Sequence, residues 1–137
     1  MQDAIFSTDF PIEFGDCDPA GIVFYPRFFG WFDATFQRWL RERGEDQASI
    51  RKRFGAAGTG LMEADARFQA PLRPGDTLTI AIVALDWGER SLRVAYRGTK
   101  DGRPALEGHE TRGLFVPRAD GTLRAAPLVP LRELLEG

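Results

Sequence analysis

Between Glu13 and Pro26 the chain reads Glu-Phe-Gly-Asp-Cys-Asp-Pro-Ala-Gly-Ile-Val-Phe-Tyr-Pro, which places carboxylates, a thiol and turn residues immediately before a strongly apolar segment. Pro19 and Gly21 interrupt regular structure, and Pro26 suits the first turn of a helix, where its missing N–H costs nothing. This spacing delivers Asp18 to a loop facing a helix N-terminus. Unpaired N–H groups and a partial positive charge at such a terminus favour an oxyanion on a bound substrate. A carboxylate beside that terminus suits hydrolysis or acyl transfer. The structural alternative is that Asp16 and Asp18 only cap a turn through their own backbone.

The other reactive side chains offer less. Cys17 as a nucleophile would want a base such as histidine, and the single histidine, His109, falls in a predicted strand with no Ser or Cys partner in sequence. No ligand spacing marks a metal site.

These residues need a scaffold, and 137 residues predict one domain spanning 1–137. The formal charge of −2 has both signs interspersed, which gives no field for nucleic acid or an anionic membrane. One cysteine excludes an internal disulfide and fits the cytoplasm. Neither a signal peptide nor about 18 consecutive apolar residues is present.

The stretch from about Ala4 to Phe14 predicts a first strand, with strand-like alternation over Phe10–Phe14. From Pro26 to Arg43, Phe28, Phe32, Phe36, Trp39 and Leu40 share a helical face that Phe29, Trp31 and Ala34 broaden, which predicts a central helix enclosed by other elements. Gly44 stops it, and Asp46 caps a short helix through Phe54. Strands are then expected over Gly60–Gln69, Thr77–Trp87, Arg90–Thr99 and Pro104–Pro117, with Asp101-Gly102 as a hairpin turn. The tail carries a turn at Asp120-Gly121 and a short helix around Pro130–Leu135. Short turns favour antiparallel pairing, so the reading is an α+β fold, an antiparallel sheet wrapped around one long helix.

This arrangement resembles the hotdog fold, and the run Glu13–Pro26 with Trp31-Phe32-Asp33 resembles the 4-hydroxybenzoyl-CoA thioesterase family. The motif covers about twenty residues, and the order of elements extends the likeness over nearly the whole chain. The resemblance implies hydrolysis of an acyl-CoA thioester by a homodimer or homotetramer, with no metal or cofactor, CoA being part of the substrate. It places the catalytic carboxylate, nucleophile or general base, on Asp18, and the oxyanion-binding backbone N–H on Tyr25; because other hotdog thioesterases use a carboxylate elsewhere on the scaffold, Glu63 is the rival base, with a strand-surface position as its structural reading. It gives Asp33 and Thr59 to the acyl pocket: the family counterpart of Asp33 helps hold a para-hydroxyl, and that of Thr59 stands on the far side of the pocket; Phe24 and Phe29 are candidate pocket walls. One departure stands out: the family's basic cluster after a tryptophan reads Trp87-Gly88-Glu89-Arg90 here, which leaves Arg90 as the leading phosphate contact, followed by Arg67, Arg93 and Arg97. A carrier-protein thioesterase and a non-hydrolysing thioester-binding protein are the alternative functions.

Overall fold

In a computed structural model describing residues 3–137, the chain forms an antiparallel six-stranded sheet curled about one long helix. Met1 and Gln2, the first two residues of the expected domain, lie outside the described residues. In chain order the elements are β1 (Phe6–Pro11), α1 (Pro26–Glu42), α2 (Gln47–Phe54), β2 (Gly58–Phe68), β3 (Thr77–Trp87), β4 (Leu92–Lys100), β5 (Arg103–Pro117), β6 (Leu123–Ala126) and α3 (Val129–Glu136). The strand order is β1-β3-β4-β5-β2, and β6 adds to the end of β5.

The first strand is shorter than expected. It ends at Pro11, and Phe14–Asp16 form a 3₁₀ turn held by reciprocal bonds between Glu13 and Asp16. β6 had no counterpart in the sequence reading, because Leu123-Arg124-Ala125-Ala126 is too short and too weakly alternating to announce a strand. The Asp120-Gly121 turn folds it back onto Leu114–Pro117.

Pro26 starts α1, and Phe28, Phe32, Thr35, Phe36, Trp39 and Leu40 form its buried stripe. Asp46 then caps α2 by accepting from Ser49 N at 2.7 Å, while Ser49 Oγ accepts from Asp46 N at 2.9 Å, a reciprocal capping box. Within this chain α1 is not enclosed. Gly30 and Asp33 are exposed and Phe29, Trp31 and Gln37 only half-buried, so the sheet covers one side of the helix and leaves the other open.

Close approach of helix and sheet depends on Gly108. The Phe32 ring stacks on Tyr96, with centroids 4.6 Å apart, and a Cβ at residue 108 would lie 2.6 Å from that ring and 2.5 Å from Asp65 O. Gly108→Ala should therefore lower stability by about 1–3 kcal/mol, the usual effect of overpacking. An unchanged denaturation midpoint would contradict this packing account.

β2 is an edge strand with apolar side chains facing outward: Leu61, Met62 and Phe68 are 52%, 42% and 50% exposed. Among the described residues, no helix is long and apolar enough to cross a membrane.

Candidate active site at the entrance of the long helix

The loop before α1 is built by its own short side chains. Asp16 Oδ2 accepts from Glu13 N at 2.9 Å and Asp16 O accepts from Phe24 N, so Asp16 supports the loop. Cys17 bridges to Val23, and Val23 N donates to Leu72 O, which ties the loop to the segment before β3. Burial, followed by the nearby carboxylates of Asp16, Asp18 and Asp76, raises the Cys17 pKa, which disfavours a thiolate.

Asp18 closes the tight turn: its backbone N–H donates to Ile22 O, Gly21 N–H donates to its carbonyl, and Gly21 takes φ +79°. Oδ1 accepts from Ala20 N at 2.9 Å. One carboxylate oxygen thus caps the turn, as the structural reading expects, and Oδ2 has no protein donor among the described residues. At the helix entrance, Arg27 N donates to Phe24 O and Phe28 N to Tyr25 O, and Pro26 has no N–H. Tyr25 N–H, with no protein acceptor among the described residues, is the donor left over. Its phenol is exposed and makes no hydrogen bond among these residues. Tyr25→Phe should consequently keep activity within about threefold, against the loss of 10²–10³ that follows removal of an oxyanion donor; a large fall in kcat would transfer the role to the phenol.

Beside this entrance lies an apolar cavity of about 340 Å³, lined by Ile22, Val23, Tyr25, Phe28, Phe68 and Leu72. Phe24 is on a different side of the helix, packed on Tyr25 and bordering a shallow groove with Arg27, Gly30 and Trp31. Phe29 is half-buried edge-on against Phe32.

Asp33 and Thr59 meet elsewhere, across a groove of about 380 Å³ in which the polar side chains of Gln37, Gln47 and Arg112 face the apolar ones of Leu61, Phe115 and Leu123. Arg112 Nη2 donates to Asp33 Oδ1 at 2.7 Å, and its Nε and Nη2 grip the two oxygens of Glu110 at 2.9 and 3.1 Å. Tyr96 donates its hydroxyl to the same Glu110. Burial and the Glu110 carboxylate hold the Tyr96 phenol well above its usual range. For Arg112, burial opposes the charged form, but Glu110 and Asp33 outweigh it and raise the pKa. Sequence reasoning missed Arg112, Glu110, Gln37 and Gln47. The available signal was the Glu110-x-Arg112 spacing, which puts both charges on one face of a strand, and Gln37 one turn beyond Asp33.

The expected site residues thus form two groups in one chain. Asp18, Tyr25 and Phe24 sit at the helix entrance. Eight residues of helix, about 12 Å of rise, separate Tyr25 from Asp33. Arg90 belongs to the Thr59 end: Gly60 is opposite Gly113, and Arg90 O would be 3.5 Å from a Cβ at Gly113. Its Nη1 donates to Ala125 O at 2.8 Å. Glu63 is exposed on β2 opposite Thr111 and lines neither cavity. His109 pairs with Asp65 at 3.1 Å. Arg67 and Arg93 pair with Glu107 and Asp65 at 3.7 Å, and Arg97 is opposite Glu107. Among the described residues no group of three His, Cys, Asp or Glu side chains is arranged to hold a metal.

The solved structure of 4-hydroxybenzoyl-CoA thioesterase from Pseudomonas sp. strain CBS-3 superposes with a TM-score of 0.85 at 26% identity, covering 95% of this chain and 97% of that one. The fold is the hotdog fold. Residues 12–130 match the thioesterase-like superfamily. The chain belongs to that superfamily. Among its thioesterase-like relatives, a 1,4-dihydroxy-2-naphthoyl-CoA hydrolase of Synechococcus sp. strain RCC307 is 30% identical over 123 residues, 85% of this chain and 89% of the relative. The 4-hydroxybenzoyl-CoA thioesterase of Pseudomonas sp. strain CBS-3 is 35% identical over 82 residues, 58% of this chain. That alignment spans 57% of the relative's length. The matched superfamily segment includes the Asp18 loop, all of α1 and both cavities.

Proposed function

We propose that this thioesterase-like protein hydrolyses acyl-CoA thioesters whose acyl group is aromatic and hydroxylated, in a site shared by two copies of the chain. The observation that carries the chemistry is that Asp18 Oδ2 and Tyr25 N–H, on the one loop that leads into α1, each lack a protein partner among the described residues. The thioester carbonyl oxygen accepts from Tyr25 N–H. Either Asp18 Oδ2 attacks the carbonyl carbon to give a mixed anhydride that water then cleaves, or it takes a proton from the attacking water. In both routes negative charge gathers on the carbonyl oxygen next to the helix terminus, and the C–S bond breaks to release CoA thiolate.

The acyl class is supported by the mixed lining of the Asp33 groove, polar side chains facing apolar ones, and by the relatives' names, which specify hydroxybenzoyl and dihydroxynaphthoyl esters. Asp33, about 12 Å along α1 from Tyr25, and Thr59, which Arg112 joins to it, line a different cavity of the chain from the one beside Tyr25. Antiparallel pairing of two β2 edges about a two-fold axis brings the Thr59 end of one copy to the Phe68 end of the other, where Phe68 packs on Phe28 beside the helix entrance. That arrangement unites Asp18 and Tyr25 of one copy with Asp33, Thr59 and Arg90 of the second. It also covers the open side of α1 and the apolar edge of β2.

Thiol release from hydroxybenzoyl-, benzoyl-, phenylacetyl- and aliphatic-CoA tests the assignment, with the preferred acyl group also presented on a carrier protein. Hydroxybenzoyl-CoA should turn over fastest. No turnover of any CoA ester by the folded protein would overturn the proposal.

A further inference from the structure

The polar wall of the Asp33 groove is a circuit of hydrogen bonds whose direction is fixed. Thr59 N donates to Gln47 Oε1 at 2.9 Å, which sets the orientation of that amide, because only its oxygen can accept. Gln47 Nε2 must then donate, to Thr59 Oγ1 at 2.6 Å and to Gln37 Oε1 at 3.0 Å. Gln37 Nε2 in turn donates to Asp33 Oδ1 at 3.2 Å, and Arg112 joins Asp33 Oδ1 to Thr59 O, at 2.7 and 3.4 Å. Gly58 makes room for this arrangement: at φ +143° it leaves a space where a Cβ would stand 2.9 Å from Gln47 Oε1.

After these bonds are made, each wall has one function to spare. The Thr59 oxygen accepts from Gln47, so its own proton is available to a ligand. Asp33 Oδ1 accepts twice, and Oδ2 has no protein donor among the described residues. The Asp33 carboxylate is 55% exposed, and an aspartate so exposed in mid-helix would ordinarily sample several rotamers. Here it is met from inside by a guanidinium that is 5% exposed, forked onto Glu110 and stacked 4.2 Å from the Phe36 ring. Such a buried charged network is a poor route to stability compared with packed hydrocarbon. A role in orienting Asp33 accounts for it.

We propose that Gln47 and Arg112 are positioning residues that fix the hydrogen-bond polarity of this groove, so that it selects an acyl group bearing a protonated hydroxyl, which donates to Asp33 and accepts from Thr59. This inference rests on the aromatic acyl-CoA reading and deepens it. A methoxy group can only accept and leaves Asp33 without its donor. A carboxylate is excluded, because it meets the Asp33 carboxylate while the Arg112 charge is already shared between Asp33 and the buried Glu110.

The test compares kcat/KM for 4-hydroxybenzoyl-, 4-methoxybenzoyl- and benzoyl-CoA in the native oligomer and in Gln47→Met and Arg112→Lys. The first substitution removes the amide from a half-buried position; the second keeps the charge but loses the fork that grips Glu110 and reaches Asp33. The native protein should favour hydroxy over methoxy by about 10² or more, since a site built for a hydroxyl rejects the analogue that cannot bond. Each substitution should reduce that preference by about tenfold, through loss of kcat/KM for the hydroxylated substrate. Undiminished preference in both variants, or an equal loss on all three substrates, overturns the proposal and leaves the thioesterase reading standing. A native protein indifferent to the hydroxyl overturns both the proposal and the hydroxylated-acyl reading. If Arg112→Lys fails to fold, Gln47→Met decides alone, because its side chain lies at the groove rim.

Discussion

Replacing Asp18 by Asn is expected to lower kcat by 10²–10⁴-fold, the range for loss of a general base, with little change in KM. Asn is the informative substitution because its amide oxygen can still accept from Ala20 N, the bond that Oδ1 makes at 2.9 Å. The turn survives and only the charge and the basic oxygen are removed. Asp18→Ala also loses the turn bond, so its midpoint of unfolding should fall while that of Asp18→Asn holds. Glu63→Gln is the control: exposed on β2 and lining neither cavity, it should retain full activity. Activity that survives Asp18→Asn and vanishes in Glu63→Gln would move the base to β2. Rapid quenching of the native protein during turnover, followed by mass measurement, distinguishes the two carboxylate routes, since a mixed anhydride adds the acyl mass to Asp18.

The fold was legible where the signal was local and strong. The aromatic stripe from Phe28 to Leu40, the Asp46 cap and the Asp101-Gly102 turn each encode their element through periodicity or backbone preference, and β3 runs from Thr77 to Trp87 as its pattern predicts. β6 was not legible, since four residues pairing with the end of β5 take their conformation from the neighbouring strand. The helix pattern also promised an enclosed helix, whereas one chain covers a single side of it. Apolar side chains such as Phe29 and Trp31 record burial in an assembly as readily as burial in a core. At the site, Asp18 stands out because Pro and Gly frame it. Arg112 and Glu110 do not, because the sequence shows neither which face of β5 turns inward nor that Asp33 lies beyond it.

A charge placed on the free edge of β2 should remove most of the activity while leaving each chain folded. Met62 is 42% exposed on that edge, at the bulge between Leu61 and Glu63, and it lines neither cavity. Met62→Glu adds a second carboxylate beside Glu63 on each edge of the proposed β2–β2 pair and opposes it, as charged residues do on natural edge strands. The separated chain keeps Asp18 and the Tyr25 N–H, and it keeps Asp33 and Thr59, but about 12 Å of helix lies between the two groups. With the acyl group no longer held against Asp18, the rate should fall by about 10² or more, the scale on which lost positioning acts. Light scattering would report the change in mass, circular dichroism the intact fold, and activity should return as protein concentration rises and copies reassociate. A folded Met62→Glu monomer with undiminished, concentration-independent turnover would mean that one chain holds a complete site. In that case the acyl group would lie in the cavity walled by Phe28, Phe68 and Leu72, and the groove at Asp33 would have to serve something other than the reacting ester.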